Sequence, residues 1–390
     1  MKSISISYIF FFAFLGIYSS LLSLHFSNLN FSGSQIATFF SIIPAISFFF
    51  NIFWGRIADN YYFLKKLNII LPLAGSIGYA ITIYINTYPA YICLAVITGI
   101  IVNPIFALSD SLSITYCKKT KSSYGNLRQW GTASFSLINF LIFLILKYAT
   151  NSNNTNSFTY IHEILYLMPI FLFCRFLSSF QLPSQQEKED KLTIKQFFKL
   201  MGNKPLLLFF IACMFHSMAS VSNYVYFSPH LKSIGFNSDF IALCWGISPL
   251  FEILVFRYSH LILNRVSLFT LFRISVLIAA LRWLIVATSR DQNIILWSQT
   301  LHTFGFGTYF LATIHILMNN IPEKVRSSGQ GFFNAFAGML GLIMGNLILG
   351  QITERLPIFY VYYASLVFSF TAYLISYLIP QSFWSGNTNE

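Results

Sequence analysis

The chain has 390 residues, of which 56% are hydrophobic and only 9% are charged. A soluble domain usually carries about 25% charged residues, so this composition excludes an ordinary soluble enzyme with one buried core. The net charge of +12 comes from short cationic clusters between apolar runs. That pattern orients helices in a membrane and argues against a nucleic-acid partner.

Apolar runs of about 20 residues can each cross a hydrocarbon core of ~30 Å. The sequence therefore predicts an all-α integral membrane protein. In chain order, its twelve predicted spans are 5–27, 35–57, 66–86, 89–113, 127–148, 161–180, 205–229, 238–260, 267–288, 292–318, 330–351 and 357–379. We interpret the first run as a transmembrane helix and not a signal peptide, because it lacks a small-residue cleavage site and more spans follow.

The one long charged stretch, 181–204, separates the spans into six and six. We predict a six-helix bundle over 1–180, a cytoplasmic linker over 181–204, and a second six-helix bundle over 205–390. The linker is either a short amphipathic surface helix or a flexible tether. An internal repeat supports the division, since His25–Pro44 resembles His230–Pro249 at an offset of 205 residues. Duplicated halves are typical of transporters.

The distribution of lysine and arginine predicts the orientation. Seventeen lie at the amino terminus, in the even-numbered loops or at the helix ends beside them, and four lie in the odd-numbered loops. The positive-inside rule then places both termini and the linker in the cytoplasm of a multi-pass inner-membrane protein. Within the spans, Gly341 and Gly345 form a close-packing pair, and Pro44, Pro104 and Pro249 are expected to break helices.

The stretch 109–135 places an acid, Asp110, and a base, Arg128, inside predicted spans. A charge there costs roughly 2.5–3.5 kcal/mol on insertion scales, so it seldom persists without a partner or a task. The two side chains either orient a substrate or bridge two helices. Arg128 can also bind a substrate carboxylate bidentately. Trp130 is a candidate aromatic wall of the binding site, although most aromatic residues in such a chain pack or face lipid.

The other acid deep in a predicted span is Glu252. A carboxyl group in a low-dielectric cavity can alternate between its protonated and charged forms, as a proton symporter requires. We expect Glu252 to carry the proton with Arg282 nearby, or else to form a structural ion pair. Arg257 and Arg273 are alternative partners. His302, which lies in the middle of a span, is either a packing residue or a proton or substrate contact.

The segment WGRIADNYYFLKK, Trp54–Lys66, resembles the loop signature of the major facilitator superfamily. In that signature a glycine permits close helix approach, and an aspartate with basic residues forms a cytoplasmic charge relay that locks one conformational state. The resemblance implies a gating role for Gly55, Asp59, Lys65 and Lys66. Alternatively, these residues only determine topology.

Two further segments, YGNLRQWG at 124–131 and SQTLHTFGFG at 298–307, resemble the branch of that superfamily that contains lactose permease and the phenylpropionate permeases. The resemblance implies twelve helices in two pseudo-symmetric six-helix bundles, alternating access and proton symport. It also implies that the substrate is bound by Asp110, Arg128, Phe135 and His302. Arg282 corresponds to the helix-9 arginine of that branch.

The sequence departs from the branch at two positions that matter for coupling. Gly305 stands where the sugar permease has a carboxylate, and Pro249 stands where it has a helix-8 acid. The arrangement of Trp245 and Glu252 is instead similar to that of the phenylpropionate permeases. Glu252 is therefore our candidate for the coupling acid.

Together these observations predict a secondary active transporter. We expect proton-coupled uptake of a small organic solute, which is an aromatic or other organic acid, a sugar or a nucleoside. A drug or metabolite exporter, an uncoupled facilitator, and a non-transporting sensor or scaffold are the alternatives. No enzyme motif, cofactor site or metal-ligand cluster is indicated. The expected partners are the solute, protons and lipid, with the protein acting as a monomer.

Overall fold

The computed structural model describes residues 2–61, 63–120, 124–152, 157–183, 203–321 and 331–385. Within these ranges the chain is helical and contains no strand. The helices are α1 (Lys2–Asn28), α2 (Gly33–Tyr61), α3 (Leu64–Ile85), α4 (Tyr88–Ile97), α5 (Asn103–Thr120), α6 (Tyr124–Ser152), α7 (Ser157–Leu165), α8 (Leu167–Ser179), α9 (Lys204–Tyr224), α10 (Phe227–Ser233), α11 (Ser238–Ile247), α12 (Glu252–Arg257), α13 (Ser259–Arg265), α14 (Leu268–Thr288), α15 (Gln292–Ser298), α16 (Thr300–His302), α17 (Thr308–Asn320), α18 (Gly341–Arg355), α19 (Tyr360–Tyr377) and α20 (Gln381–Ser385). Three π-helical segments are also present: Thr98–Val102 follows α4, Thr303–Gly307 follows α16, and Asn334–Leu340 precedes α18.

Eleven stretches of the described chain are long and apolar enough to cross a membrane. They correspond to the first eleven predicted spans. The twelfth prediction, 357–379, falls on α19, a helix of 18 residues whose five tyrosines lower its mean hydropathy. The predicted all-α integral membrane fold is confirmed.

The chain forms two compact units. The first contains the described residues of 1–188 and 225–250, and the second contains those of 189–224 and 251–390. In the first unit α1 packs along α6 and α8, and α3 packs on α8. In the second unit α9 and α14 both pack on α19. The bundle boundaries at 180 and 205 stay a prediction, and most of the predicted linker, at 184–202, lies outside the described residues.

Glycine permits the close approach of α18 to α9 in the second unit. A Cβ atom on Gly341 would lie 2.7 Å from the carbonyl oxygen of Met214, and one on Gly345 would lie 2.8 Å from that of Met218. Real Cβ atoms do not approach a backbone oxygen this closely, so each position requires glycine for this packing. The predicted role of the pair is confirmed.

The three prolines behave differently. Pro249 lies in the break between α11 and α12, and Pro104 lies in the first turn of α5 after a π-helical segment. Pro44 lies inside α2, which continues from Gly33 to Tyr61. The expected break at Pro44 is therefore wrong. A proline removes one backbone donor, and a helix in a packed bundle can accept that loss.

Candidate functional site

In the first unit, side chains from α1, α5 and α6 meet at one site. Tyr8 and Phe12 are four residues apart on α1, Phe106 and Asp110 are four apart on α5, and Arg128 lies on α6. Residues at this spacing share one helix face. The polar and aromatic groups of this point therefore come from separate parts of the sequence.

Arg128 lies in a cage of three aromatic rings. Its guanidinium carbon is 3.9 Å from the ring centre of Phe12, 5.2 Å from that of Phe106 and 5.7 Å from that of Tyr8. These are cation–π distances, each worth about 0.5–2 kcal/mol. The described contacts of Arg128 are all with rings, and its Nη1 is buried without a hydrogen-bond partner. The four residues Arg128, Phe12, Phe106 and Tyr8 are called the arginine cage below.

Asp110 is joined to the arginine cage through Tyr8. The Tyr8 hydroxyl donates to Asp110 Oδ1 over 2.5 Å and lies 3.0 Å from Ser113 Oγ. The same residue thus presents its ring to Arg128 and its hydroxyl to the acid. The structure brings Asp110 and Arg128 to one site, with an aromatic ring as the described link between them.

The two other candidates on α6 have different surroundings. Phe135 lies 6.3 Å, ring centre to ring centre, from Trp245, whose indole N–H donates to Ser228 Oγ over 2.9 Å. Trp130 is 50% exposed. No described contact brings Trp130 to the arginine cage, and its predicted role as a wall of the binding site stays a prediction.

In the second unit, Arg282, His302 and Glu252 form a row. Arg282 Nη1 lies 3.3 Å from His302 Nδ1, and His302 Nε2 lies 3.3 Å from Glu252 Oε1. Arg282 Nη2 also donates to the side-chain oxygens of Asn223, over 2.7 Å, and Gln299, over 2.5 Å. Arg282 is 2% exposed and Glu252 is 7% exposed. The sequence candidates for coupling thus meet in one buried network.

The row fixes the tautomer of His302. An arginine can only donate, so Nδ1 must accept from Arg282. The remaining ring nitrogen, Nε2, then carries the hydrogen and donates it to Glu252. A neutral His302 satisfies both contacts, whereas a proton on Nδ1 would face the guanidinium N–H. We assign this tautomer from the hydrogen-bond geometry.

A pocket lies beside the row, within the second unit. Its walls include Arg282 and His302, the indole of Trp283 and two side chains of α9, His216 and Asn223. His216 is buried and its Nδ1 has no hydrogen-bond partner among the described residues. The alternative partners of Glu252 lie elsewhere, since Arg273 donates to Ser376 and no contact joins Arg257 to Glu252 in the described part. The pocket therefore offers donors, two imidazoles and an aromatic face.

The candidate gating residues lie at the junction of α2 and α3. Lys66 Nζ lies 4.4 Å from the ring centre of Phe63, and a Cβ atom on Gly55 would meet nothing within 4 Å. Lys65 is partly buried at the start of α3. The side chain of Asp59 lies outside the described part of the structure. The predicted charge relay stays a prediction.

Sequence reasoning missed a buried arginine cluster in the first unit. Arg175 is 1% exposed and donates from Nη2 to Asn68 Oδ1 over 2.9 Å and to Ser109 Oγ over 3.0 Å. Its Nη1 donates to Ser179. Arg175 is one of the seventeen cations that the sequence places in the even-numbered loops or at the helix ends beside them. The sequence did contain a signal: Arg175 lies within an apolar run, and an arginine buried there needs polar side chains nearby as hydrogen-bond partners.

Gln299, Asn223 and the rings of the arginine cage were also missed. Gln299 joins α15 to α16 and lies three residues before His302, a spacing that could have been recognised in the sequence. Tyr8, Phe12 and Phe106 are three among many aromatic residues, and only the fold singles them out.

Comparison with known proteins places the chain in a family. The profile described as the MFS_1 like family matches residues 1–378. The chain is 27% identical to the uncharacterized transporter YwbF of Bacillus subtilis (strain 168), covering 90% of this chain and 86% of that protein. It is 24% identical to the maltose permease of Geobacillus stearothermophilus, covering 91% and 88%. It is 20% identical to the probable 3-phenylpropionic acid transporter of Escherichia coli (strain K12), covering 75% and 78%.

Solved structures agree on the fold. A mutant of the nucleoside transporter NupG superposes with a TM-score of 0.83 at 18% identity, covering 97% of this chain and 99% of that one. A D-xylose-proton symporter superposes with a TM-score of 0.72 at 14% identity, covering 99% and 98%. The chain therefore belongs to the MFS_1 like family and is a multi-pass membrane transporter of the major facilitator superfamily.

Proposed function

We propose that the chain is a proton-coupled importer of a small organic solute, with Glu252 as the proton carrier. The row Arg282–His302–Glu252 supports this role, because its hydrogen bonds suit an ionised Glu252 and a neutral His302. A proton that binds Glu252 removes the negative charge facing His302 and Arg282. The network then has a cation without its counter-charge, which favours rearrangement of the helices that supply it.

Three neighbours in sequence or structure support a solute of this class. One relative is named for maltose and one for 3-phenylpropionic acid, and one structural neighbour is titled a sugar–proton symporter. We propose alternating access at a site that includes Asp110, Arg128 and Phe135. In this proposal the cytoplasmic gate consists of Gly55, Asp59, Lys65 and Lys66. The protein acts as a monomer in the inner membrane, with both termini on the cytoplasmic side.

The test is proton movement in proteoliposomes that contain a pH dye. Probes are 3-phenylpropionate, maltose, xylose and uridine, each added outside. We expect one probe to acidify the lumen as it enters, and Glu252→Gln to abolish that signal. The matched control is Glu354→Gln, which neutralises an exposed acid on α18 and should leave the signal unchanged.

An uncoupled facilitator is the second candidate, because Gly305 stands where the resemblance expects an acid. Equilibration of a labelled probe with no change in lumenal pH would favour that function and contradict proton coupling. Accumulation of the probe against its gradient, driven by an imposed proton gradient, would contradict the facilitator.

A further inference from the structure

Two of the π-helical segments occupy equivalent positions in the duplicated halves of the chain. The sequence repeats at an offset of 205 residues, and the same offset carries Thr98–Val102 onto Thr303–Gly307, residue for residue. They are called the first and the second π segment below, and they lie in the first and the second unit. Single π turns are rare and occur frequently at functional sites. Their presence at both copies of one position therefore indicates a role in each unit.

In the first unit, a serine of α2 donates to a backbone carbonyl of the first π segment. Ser47 Oγ donates to Gly99 O over 3.1 Å, and Asn103 Nδ2 donates to Ser47 Oγ over 2.8 Å. Pro104, five residues after Gly99, has no N–H with which to donate the π-helical bond to that carbonyl. The bond from Ser47 is therefore permanent, because the backbone offers Gly99 O no substitute at that position.

The second unit has an acid at the position of that serine. At the same offset, the three linked residues of the first unit have these equivalents: Glu252 for the serine, Thr308 for the asparagine and Phe304 for the glycine. The helix α12, which begins at Glu252, packs on the second π segment as α2 packs on the first. A Cβ atom on Gly307 would lie 3.6 Å from Glu252 Cγ. Glu252 thus lies directly against the second π segment.

The hydrogen bonds of these equivalents differ from those in the first unit. The Thr308 hydroxyl donates directly to Phe304 O. Glu252 is bonded instead to His302, whose Nε2 lies 3.3 Å from Oε1. An ionised carboxylate can only accept hydrogen bonds, so it cannot replace the hydroxyl of Ser47. A protonated carboxyl group has one O–H and can donate it.

One difference between the units makes the second bond exchangeable. Tyr309 stands where the first unit has Pro104, and it retains its backbone N–H. The backbone can therefore donate to Phe304 O, whereas it cannot donate the corresponding bond to Gly99 O. A side-chain bond to Phe304 O can be made and broken without leaving that carbonyl unsatisfied.

We infer that the carbonyl oxygen of Phe304 accepts the hydrogen of protonated Glu252. The carboxyl O–H then turns to the second π segment, and the Thr308 hydroxyl gives up its bond to Phe304 O. The second π segment gains the bond that Ser47 supplies to the first. This segment directly follows His302, so it is the element that responds to the proton. The inference rests on the proposed function, because it states what the proton does at the same acid.

The charged and titratable groups around Glu252 fit this exchange. His302 donates to the carboxylate and Arg282 lies behind that histidine. The hydroxyl of Tyr224, on α9, interacts electrostatically with Glu252. Among the described residues, no contact joins Glu252 to a titratable group of α13, the helix that follows α12. The ionised form is thus held on the side of His302, and the neutral form loses that attraction.

Infrared difference spectroscopy of the full-length protein in detergent tests the inference without a solute or a proton gradient. The protein is labelled with phenylalanine that carries ¹³C at its carbonyl, and spectra in acidic and alkaline buffer are compared. We expect a carboxyl band to appear on acidification. A ¹³C amide band should shift to lower frequency with it, since a carboxyl O–H is a stronger donor than the threonine hydroxyl that it replaces.

Three substitutions assign the two bands. Glu252→Gln should abolish both. Phe304→Leu keeps the backbone carbonyl but removes its label, so the ¹³C shift should disappear while the carboxyl band stays. That side chain is 48% exposed, so leucine fits there. Thr308→Val should enlarge the ¹³C shift, because no hydroxyl occupies the carbonyl beforehand.

The matched control is Glu354→Gln, at an exposed acid of α18, which should leave both bands unchanged. Thermal melting in detergent verifies that each variant is folded.

The outcomes separate the two proposals. The inference is overturned by a Glu252-dependent carboxyl band without a ¹³C shift, by a shift that survives Phe304→Leu, or by the absence of any band that depends on Glu252. Proton coupling is then still decided by the proteoliposome signal. If both bands behave as expected and solute flux moves no protons, the inference stands and the proposed function fails.

Discussion

Arg175 shows how a single charged residue can be accommodated deep in a membrane protein. Its described hydrogen-bond partners are the neutral side chains of Asn68, Ser109 and Ser179. Ser109 also donates to Asn68 Oδ1 over 3.0 Å, so the cluster is interlinked. Such a group is stabilised only while each partner remains in place, because leaving buried polar atoms unpaired is costly.

We expect Arg175→Ala to destabilise the protein strongly. The substitution leaves a cavity and three buried side chains without their charged partner, which costs about 2–5 kcal/mol. Scanning fluorimetry in detergent should show a lower unfolding midpoint than for the wild type. Arg355→Ala, at an exposed arginine of α18, is the control and should melt with the wild type. Equal midpoints for the two variants would contradict a structural role for the cluster.

At the scale of single residues, the sequence identified the charged residues of the two candidate sites but not the aromatic ones. Asp110, Arg128, Glu252 and Arg282 could be singled out, because a charge in an apolar run is rare and costly. The Phe12 ring of the arginine cage could not, because phenylalanine occurs 44 times and has no distinctive cost in lipid. The link between Asp110 and Arg128 through Tyr8 spans 102 positions and is visible only in the fold.

At the scale of elements, glycine spacing decides where helices touch. The Gly345 position of α18 faces the backbone of α9, and a Cβ atom there would lie 2.8 Å from Met218 O and 2.9 Å from Met218 Cα. Gly338, in the π-helical segment before α18, has nothing within 4 Å of such an atom. The two glycines therefore have unequal tolerance for a side chain.

We expect Gly345→Val to weaken the packing of α18 on α9, at a cost of about 1–3 kcal/mol for overpacking. Solute flux in proteoliposomes and the melting midpoint should both fall. Gly338→Val is the matched control and should change the midpoint less. A Gly345→Val variant that melts and transports as the wild type does would show that the contact between α18 and α9 is not needed.

Helix existence could be predicted from hydropathy, whereas breaks within helices could not. Length and apolarity place all the spans to within a few residues. The breaks depend on local hydrogen bonding, so Pro249 separates two helices while Pro44 lies inside one. The π-helical segments carry no sequence pattern as distinct as a run of apolar residues.

For the whole molecule, orientation in the membrane is a prediction from charge alone and is directly testable. The predicted topology places the loop before α14 in the cytoplasm and the loop after it outside. Asn264 and Arg290 are exposed residues on the two sides of this one helix, Leu268–Thr288. They form a natural pair of reporter positions.

We expect a cysteine at position 290, in a variant without the five native cysteines, to react with a membrane-impermeant maleimide in intact cells. A cysteine at position 264 should react only after permeabilisation, because the loop with more cations stays inside. Labelling is read by a mass shift on a gel. The reverse pattern would contradict the proposed cytoplasmic location of both termini.

The π-helical segment Thr303–Gly307 has a consequence for how the chain tolerates insertions and deletions. A π turn takes up more residues than an α turn, and each residue of an α-helix advances it by about 100°. The helix before the segment determines where His302 points, and Gly307, the last residue of the segment, faces the side chain of Glu252. A one-residue deletion here would leave the loops intact and still turn half of the span away from Glu252, so the function of this span depends on its rotational register more than on its length.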